Sequence, residues 1–166
     1  MFKKGLHMTQ ITEYQKMHHY MGIEMNMQTW GLLEKKDRSE QGDIRMVMFA
    51  KASLFHWKLS PKFHPVNEQR GEWLISRVYS VLGKDEEALI HAEKTMKLTE
   101  MFDFKDFDLA YAYECLARAH AASGNKKESK NWYKKAKHVG ELISGKKDKE
   151  IFEGDIKAEP WFDCLN

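Results

Sequence analysis

Two stretches of this 166-residue chain repeat one pattern at an interval of 41 positions. Each has a Leu or Ile followed by a small residue, a ring three positions later, a loop glycine, and then small or aromatic residues at helical spacing. Gly83 marks the loop of the first copy and Gly124 that of the second. A loop glycine between two helical patterns is typical of an antiparallel helical hairpin. The repeat therefore predicts an all-α fold of stacked antiparallel helical hairpins.

The composition indicates a globular protein with one domain. Hydrophobic residues make up 42% and charged residues 31%, while the formal net charge of +2 carries no message about partners. No apolar run approaches the roughly 20 residues that a membrane span needs. The chain has two cysteines, Cys115 mid-helix and Cys164 in the tail, and such usage fits a reducing cytosol better than a disulfide scaffold. We therefore expect a cytoplasmic protein with no membrane partner. Residues 1–8 are expected to form a disordered N-terminal extension.

Hydrophobic periodicity predicts about six helices plus a short C-terminal capping helix. The first helix is predicted over residues 9–36, Asp43 is predicted to cap the second, the third follows Asn67, and Asp106 is predicted to cap the fifth. The predicted apolar side of the second helix comprises Ile44, Val47, Met48, Leu54, Phe55 and Trp57. The single domain, 9–166, divides into a degenerate or capping hairpin (9–59), two repeats (66–101 and 106–144) and a capping tail (145–166).

The two copies resemble tetratricopeptide repeats. At positions of that family's pattern, W-x2-L-G-x2-Y then A-x3-F-x2-A, the second copy carries Tyr113, Leu116, Ala117, His120, Ser129, Tyr133 and Ala136. The first copy carries Ile75, Ser76, Tyr79, Ala88, Ala92 and Thr95, but it has Glu72 at the leading aromatic position. Neither copy has the closing proline, because Glu100 and Glu141 stand there.

A longer stretch, Asn67 to Trp161, is similar to bacterial tetratricopeptide-like proteins. The similarity lies in RGEWL at 70–74, DFDLAYAYE at 106–114 and EPW at 159–161. It implies a binding scaffold and no reaction, and our first hypothesis is that the scaffold binds a protein segment or peptide.

The resemblance also implies where a ligand binds, because such scaffolds bind through the first helix of each hairpin. The implied ligand-binding residues of helices three and five are Arg70, Trp73, Arg77, Tyr111, Glu114 and Arg118. Arg77 and Arg118 are equivalent positions, so stacking would bring two guanidinium groups together, a pair suited to a carboxylate or phosphate. The competing interpretation is that Glu114 and Arg118, four apart, pair with each other and that Trp73 belongs to the core.

No metal signature is present in the sequence. HExxH and the Glu-x-x-His spacing of di-iron bundles are both absent. His18 and His19 are adjacent on a helix and point about 100° apart, which places His18 on a buried stripe and His19 at its edge. Flexible methionines usually fill irregular cores, so core packing is predicted for Met17, Met21 and Met25. We predict that the protein binds no metal and no cofactor.

Nucleophile and phosphate-loop patterns also fail. Cys115 falls inside a helix among small residues, where a buried thiol is inert. The run Gly140-x4-Gly145-Lys146 begins like a P-loop, but Lys147 replaces the required Ser or Thr, and no strand precedes it. An enzymatic arrangement of Arg118 with His120 is weak because residues two apart on a helix point to different sides. We predict that the protein is not an enzyme.

Nucleic-acid binding is the alternative function. Residues 126–149 hold nine lysines against three acidic residues, and a lysine face on helix six comprises Lys127, Lys130, Lys134 and Lys137. The segment has no arginine, whereas recognition of bases and phosphates normally uses Arg and stacking rings as well. A solvated surface is therefore favoured, and a protein or peptide remains the preferred partner.

A short helical stack leaves apolar ends that need covers. We expect the tail around Phe152, Ile156 and Trp161 to cover one end, and a second copy of the chain, in a homodimer, to cover the other.

Overall fold

The computed structural model describes residues 11–166, in which seven α-helices and no β-strand occur. The predicted extension at residues 1–8 lies outside the described range. The helices are α1 (Glu13–Leu33), α2 (Glu40–Leu59), α3 (Pro65–Val81), α4 (Asp85–Met101), α5 (Asp106–Ala122), α6 (Lys126–Glu141) and α7 (Lys146–Lys157). Successive helices pack as the hairpins α1–α2, α3–α4 and α5–α6, and α7 lies against α5 and α6. The predicted all-α stack of helical hairpins is confirmed.

The two loop glycines form the same bend twice. Gly83 and Gly124 have φ angles of 66° and 71°, a left-handed conformation that glycine adopts without strain. In each bend the next residue donates its backbone N–H to a carbonyl five residues earlier, Lys84 to Tyr79 and Asn125 to His120, both at 2.9 Å. This is the pattern of a helix C-terminal glycine motif, and it explains why helices on either side of these short loops run antiparallel.

Replacing either glycine by alanine should cost about 1–2 kcal/mol of unfolding free energy, because a left-handed alanine is strained by that amount. An added Cβ meets no atom within 4 Å at either site, so the backbone alone determines the effect. The matched control is Gly31→Ala inside α1, where the space is also open and alanine should stabilise by about 0.5–1 kcal/mol. Urea denaturation measures all three. Equal effects at Gly31 and Gly83 would contradict this account.

The ends of α1 differ from the predicted 9–36. Thr12 caps the helix by accepting the Gln15 backbone N–H at 3.2 Å, while the Gln15 side chain accepts the Thr12 N–H at 2.9 Å. This reciprocal arrangement is a capping box. At the other end the Arg38 guanidinium donates to the Lys35 carbonyl at 2.7 Å and to the carbonyls of Leu32 and Leu33, which ends the helix three residues early.

Three predicted helix starts are also wrong. Ser39, not Asp43, caps α2 by accepting the Gly42 N–H at 3.2 Å; Asp43 instead holds Arg38 in an ion pair at 2.8 Å. Helix α3 begins before Asn67, at a proline whose missing N–H is not needed in the first turn. Asp106 is the first residue of α5 rather than its cap, and its carboxylate accepts the Ser144 hydroxyl at 2.6 Å, which ties α5 to the end of α6.

Only part of the predicted apolar side of α2 is buried: Leu54 lies in the core and Val47 packs against it. Met46 and Ala50 are fully buried in the core cluster of α2, α3, α4 and α5, whereas Ile44, Met48 and Phe55 are exposed. Helix α2 is apolar on more than one side, so its sequence does not single out the buried stripe. The homodimer, in which a second copy would cover the other end of the stack, stays a prediction.

The C-terminal tail, residues 145–166, packs onto the last hairpin as predicted. Phe152, Ile156 and Trp161 are buried in a second core cluster with residues of α5 and α6. Gly140 permits this contact, because a Cβ there would stand 2.1 Å from a Phe152 ring carbon. Within the described range, no helix combines the length and the apolar character needed to cross a membrane.

Candidate functional site

The structure brings the predicted residues of α3 and α5 together around one carboxylate. Glu114 accepts hydrogen bonds from Arg77 Nη1 at 2.9 Å and from Trp73 Nε1 at 3.0 Å. It also forms an ion pair with Arg118 Nε, one helical turn away. The competing interpretation of a Glu114–Arg118 pair is thus confirmed, while Trp73 is only half-buried. The predicted pair of equivalent guanidinium groups exists, but both groups already share a carboxylate of the protein.

The tail occupies the remaining donors of Arg118. Nη2 donates to the carbonyls of Asp155 at 2.7 Å and Ala158 at 3.0 Å, and Nη1 donates to Pro160 at 3.2 Å. The guanidinium also stacks on the Trp161 ring, 4.0 Å from its centroid. Carbonyls at a helix C-terminus lack partners within the helix, and a cation there is favoured by the helix dipole. Arg118 therefore holds the C-terminal end of α7 against α5.

Burial changes the acid–base properties of this cluster. Complete burial raises the pKa of Glu114 to about 7, although Arg77 and the Trp73 indole oppose that rise. The ion pairs consequently do not fully repay the lost solvation of the carboxylate. Burial also raises the pKa of Tyr111, whose hydroxyl donates to Asp155 Oδ2 at 2.5 Å, so the phenol stays protonated and bridges α5 to α7.

Two cavities remain open between α1 and the tail, and we call them together the concave groove. The larger, about 560 Å³, is lined by the end of α1, by Arg77 and by tail residues 155–160. The smaller, about 180 Å³, is lined by Arg70, Trp73 and Tyr111 among others. Trp30 and Asp155 line both cavities, so the two adjoin. Of the six predicted residues, Glu114 and Arg118 lie behind the groove and the other four line it.

The two residues that line both cavities, Trp30 and Asp155, were not predicted. Trp30 belongs to α1, the first helix of its hairpin, so the rule that first helices bind would have included it. Residues 9–59 carry no clear copy of the repeat, and that rule was therefore not applied to them. Asp155 lies in the tail, beyond the register of either copy, and no signal in the sequence places it opposite Tyr111.

The metal, methionine and cysteine candidates from the sequence form no functional site within the described residues. No group of three or more His, Cys, Asp or Glu side chains within residues 11–166 is placed to hold a metal ion. Met17 is exposed, so its predicted core position is wrong, whereas Met21 and Met25 are half-buried. Burial raises the pKa of the Cys115 thiol to about 12, which keeps it protonated and unreactive.

His18 is buried between α1 and α2, as predicted, and it pairs with the half-buried His56. Their Nδ1 atoms are 2.7 Å apart, so one ring donates and the other accepts a single shared proton. His18 is 2% exposed. Burial, and then the neighbouring His18, lower the pKa of His56. Protonating the accepting Nδ1 would abolish this hydrogen bond, and charging both rings would place two like charges side by side.

This pair predicts a loss of stability in acid. Because the folded-state pKa of His56 lies below its ordinary value of 6.5, its contribution to stability is present above pH 6.5 and is lost as the pH falls through the folded value. The urea midpoint of the wild type should therefore fall more between pH 7.5 and 5 than that of His56→Gln. The exposed-site control His138→Gln should match the wild type. An equal fall in the wild type and His56→Gln would disprove the contribution.

The lysine face of α6 lies away from the concave groove. Lys127, Lys134 and Lys137 are exposed, and Lys130 donates to the Asn166 backbone carbonyl at 2.8 Å. The nearest ring is Trp132, and Lys135 covers it at 4.0 Å from the ring centroid. Because its own lysine occupies that ring, the surface offers no free platform there for stacking a base.

Comparisons of the chain with protein-family models, with curated proteins and with solved structures gave no match. Fold and site alone define the class, which is an all-α stack of helical hairpins with an open groove between its first helix and its C-terminal tail.

Proposed function

We propose that this protein is a non-catalytic, tetratricopeptide-like scaffold that binds a protein segment or peptide in the concave groove. The main support is the position of the groove: α1 and the tail form its walls, and side chains of α3 and α5 form its floor. Helical hairpin stacks present extended surfaces of this kind to their ligands.

The chemistry of the groove fits an extended peptide better than a reaction. Tryptophan, tyrosine and arginine are the side chains that contribute most at protein interfaces, and Trp30, Trp73, Tyr111 and Arg70 supply all three types here. The reactive groups lie elsewhere, with both cysteines buried in the two cores and His18 buried between α1 and α2. Two buried free thiols also support our proposal of a cytoplasmic location.

The residues that we propose for binding an acidic group differ from the predicted pair, Arg77 and Arg118. The tail and Glu114 use the donors of Arg118, so Arg118 does not reach a ligand. Arg77 lines the larger cavity together with Lys35 and Lys36 from the end of α1. Because Arg77 is itself paired with the buried Glu114, we propose that Lys35 and Lys36, rather than an Arg77–Arg118 pair, receive an acidic side chain or chain terminus.

The test is selection of binders from a random dodecapeptide library on the full-length protein, followed by affinity measurement on variants. Trp30→Ala should weaken the selected peptides at least tenfold, because a truncated interfacial tryptophan typically costs 2 kcal/mol or more, roughly thirtyfold. The matched control is Trp132→Ala, a half-buried tryptophan beside a separate surface cavity. Peptides that lose affinity to Trp132→Ala and not to Trp30→Ala would exclude the concave groove.

A further inference from the structure

The smaller cavity of the concave groove is walled by four rings and two carboxylates. The rings belong to Trp30, Trp73, Phe107 and Tyr111, and the carboxylates to Asp108 and Asp155. Its volume of about 180 Å³ equals that of roughly six liquid waters at about 30 Å³ each. It therefore has room for the end of one side chain and not for a folded element.

The rings contact one another both at a tilt and edge to face. Trp30 and Trp73 have centroids 5.9 Å apart and planes tilted by 33°, and Trp73 meets Tyr111 edge to face at 4.9 Å. Aromatic faces attract cations through their quadrupole, and Trp does so most strongly. This chain already uses that attraction internally, where Arg118 stacks on Trp161 and Lys135 on Trp132, each at 4.0 Å.

Trp30 and Trp73 have no such internal occupant. In the described part of the chain, no Lys or Arg lies over either ring. Arg70, which also lines the cavity, is held by Asp108 through two hydrogen bonds of 2.7 and 3.1 Å and leans over Phe107 instead. Its charge is thus already neutralised, and no cation of the described residues lies over either tryptophan ring.

Asp155 supplies the cavity with a carboxylate that has no cationic partner among the described ion pairs. Its Oδ2 accepts the Tyr111 hydroxyl at 2.5 Å, yet none of the ion pairs between described side chains uses Asp155. Across the groove, Arg77 is paired with Glu114. A half-buried carboxylate next to two half-buried aromatic rings that no cation covers is complementary to a cation and repels an anion.

We propose that this cavity binds the ammonium end of a lysine, or of an N-methylated lysine, carried by the bound protein segment. The ammonium would pair with Asp155 and stack on Trp30 and Trp73, while the aliphatic stem would lie along Ile151 at the rim. The inference rests on the proposed function and adds the chemical class of the anchoring side chain.

The decisive probes are two blocked amino acids of equal shape. One is N-acetyl-Nε-trimethyllysine amide, and the other is its neutral isostere with tert-butyl in place of trimethylammonium. Titration calorimetry on the full-length protein should show at least tenfold tighter binding of the charged probe. In Asp155→Asn, which keeps the shape and the Tyr111 hydrogen bond, that preference should fall to about twofold or less. Equal affinities in the wild type would overturn the proposal, because the cavity would then be merely apolar.

Two further outcomes separate this inference from the proposed function. Library peptides that require Trp30 but lack lysine, and are not displaced by the charged probe, would overturn the lysine anchor and leave the peptide scaffold standing. Binding of the charged probe without any peptide that depends on Trp30 would support the ammonium site and overturn the scaffold. If tetramethylammonium bound as tightly as the charged probe, the cavity would be a site for small free cations. That result would contradict the proposal that the ammonium belongs to a lysine of a bound protein segment.

Discussion

Replacing Glu114 by alanine is expected to lower the free energy of unfolding by about 3–5 kcal/mol, which makes it one of the two largest single-site effects we predict. Glu114 is fully buried and lies between Arg77 and Arg118, which are also buried. Removing the carboxylate leaves two guanidinium groups without their counter-charge and the Trp73 N–H without its acceptor. Urea denaturation at pH 7, followed by circular dichroism, measures the loss.

The matched control is the same substitution in a partly exposed ion pair. Glu68 pairs with Lys58 at 2.6 Å near the surface, where solvent screens the charges, so Glu68→Ala should cost about 1 kcal/mol or less. The difference between the two alanine variants isolates the effect of burial. A loss below 1 kcal/mol in Glu114→Ala would mean that Arg77 and Arg118 find solvent or other acceptors, and that the cluster does not hold the tail in place.

The repeated bends were predictable from sequence because their signals are local. A glycine in the left-handed region and a short polar loop determine where one helix ends and the next begins, so Gly83 and Gly124 indicated the α3–α4 and α5–α6 hairpins. The register of α2 was not predictable in the same way. Ile44, Met48 and Phe55 face solvent while Met46 and Ala50 face the core, and a helix that is apolar on several sides does not reveal which side is buried.

Only the part of the candidate site that lies on α3 and α5 was predictable from the sequence, because those two helices are the only elements of the site that carry the repeat. Side chains of α3 and α5 share one helical register, so Trp73, Arg77 and Glu114 could be placed on a common face from the repeat alone. Trp30 and Asp155 approach the same cavity from opposite ends of the chain, and no periodicity relates them. Their meeting depends on how the tail folds back, which is set by tertiary contacts of Arg118 rather than by local propensity.

Those contacts give the tail a double role. Residues 155–160 receive the donors of Arg118 and at the same time form one wall of the concave groove. A change that releases the tail should therefore remove Asp155 from the smaller cavity as well as destabilise the fold. Stability and ligand binding are consequently expected to fall together for tail substitutions, whereas Trp30→Ala should affect binding more than stability because Trp30 is only half-buried.

Trp161→Ala is the sharpest test of that coupling, with an expected loss of about 3–5 kcal/mol. Trp161 is 3% exposed, packs edge to face on Tyr133 at 5.1 Å, and stacks under Arg118, so its removal leaves a cavity beside a buried cation. The neighbouring Phe162→Ala is the control, because Phe162 is 40% exposed and its loss should cost under about 1 kcal/mol. Thermal and urea denaturation would measure the stability of both variants. Titration with the charged probe and its neutral isostere would measure whether the smaller cavity still prefers the charge. If Trp161→Ala were destabilised as expected but kept full preference for the charged probe, Asp155 would be held in place without the tail contacts of Arg118.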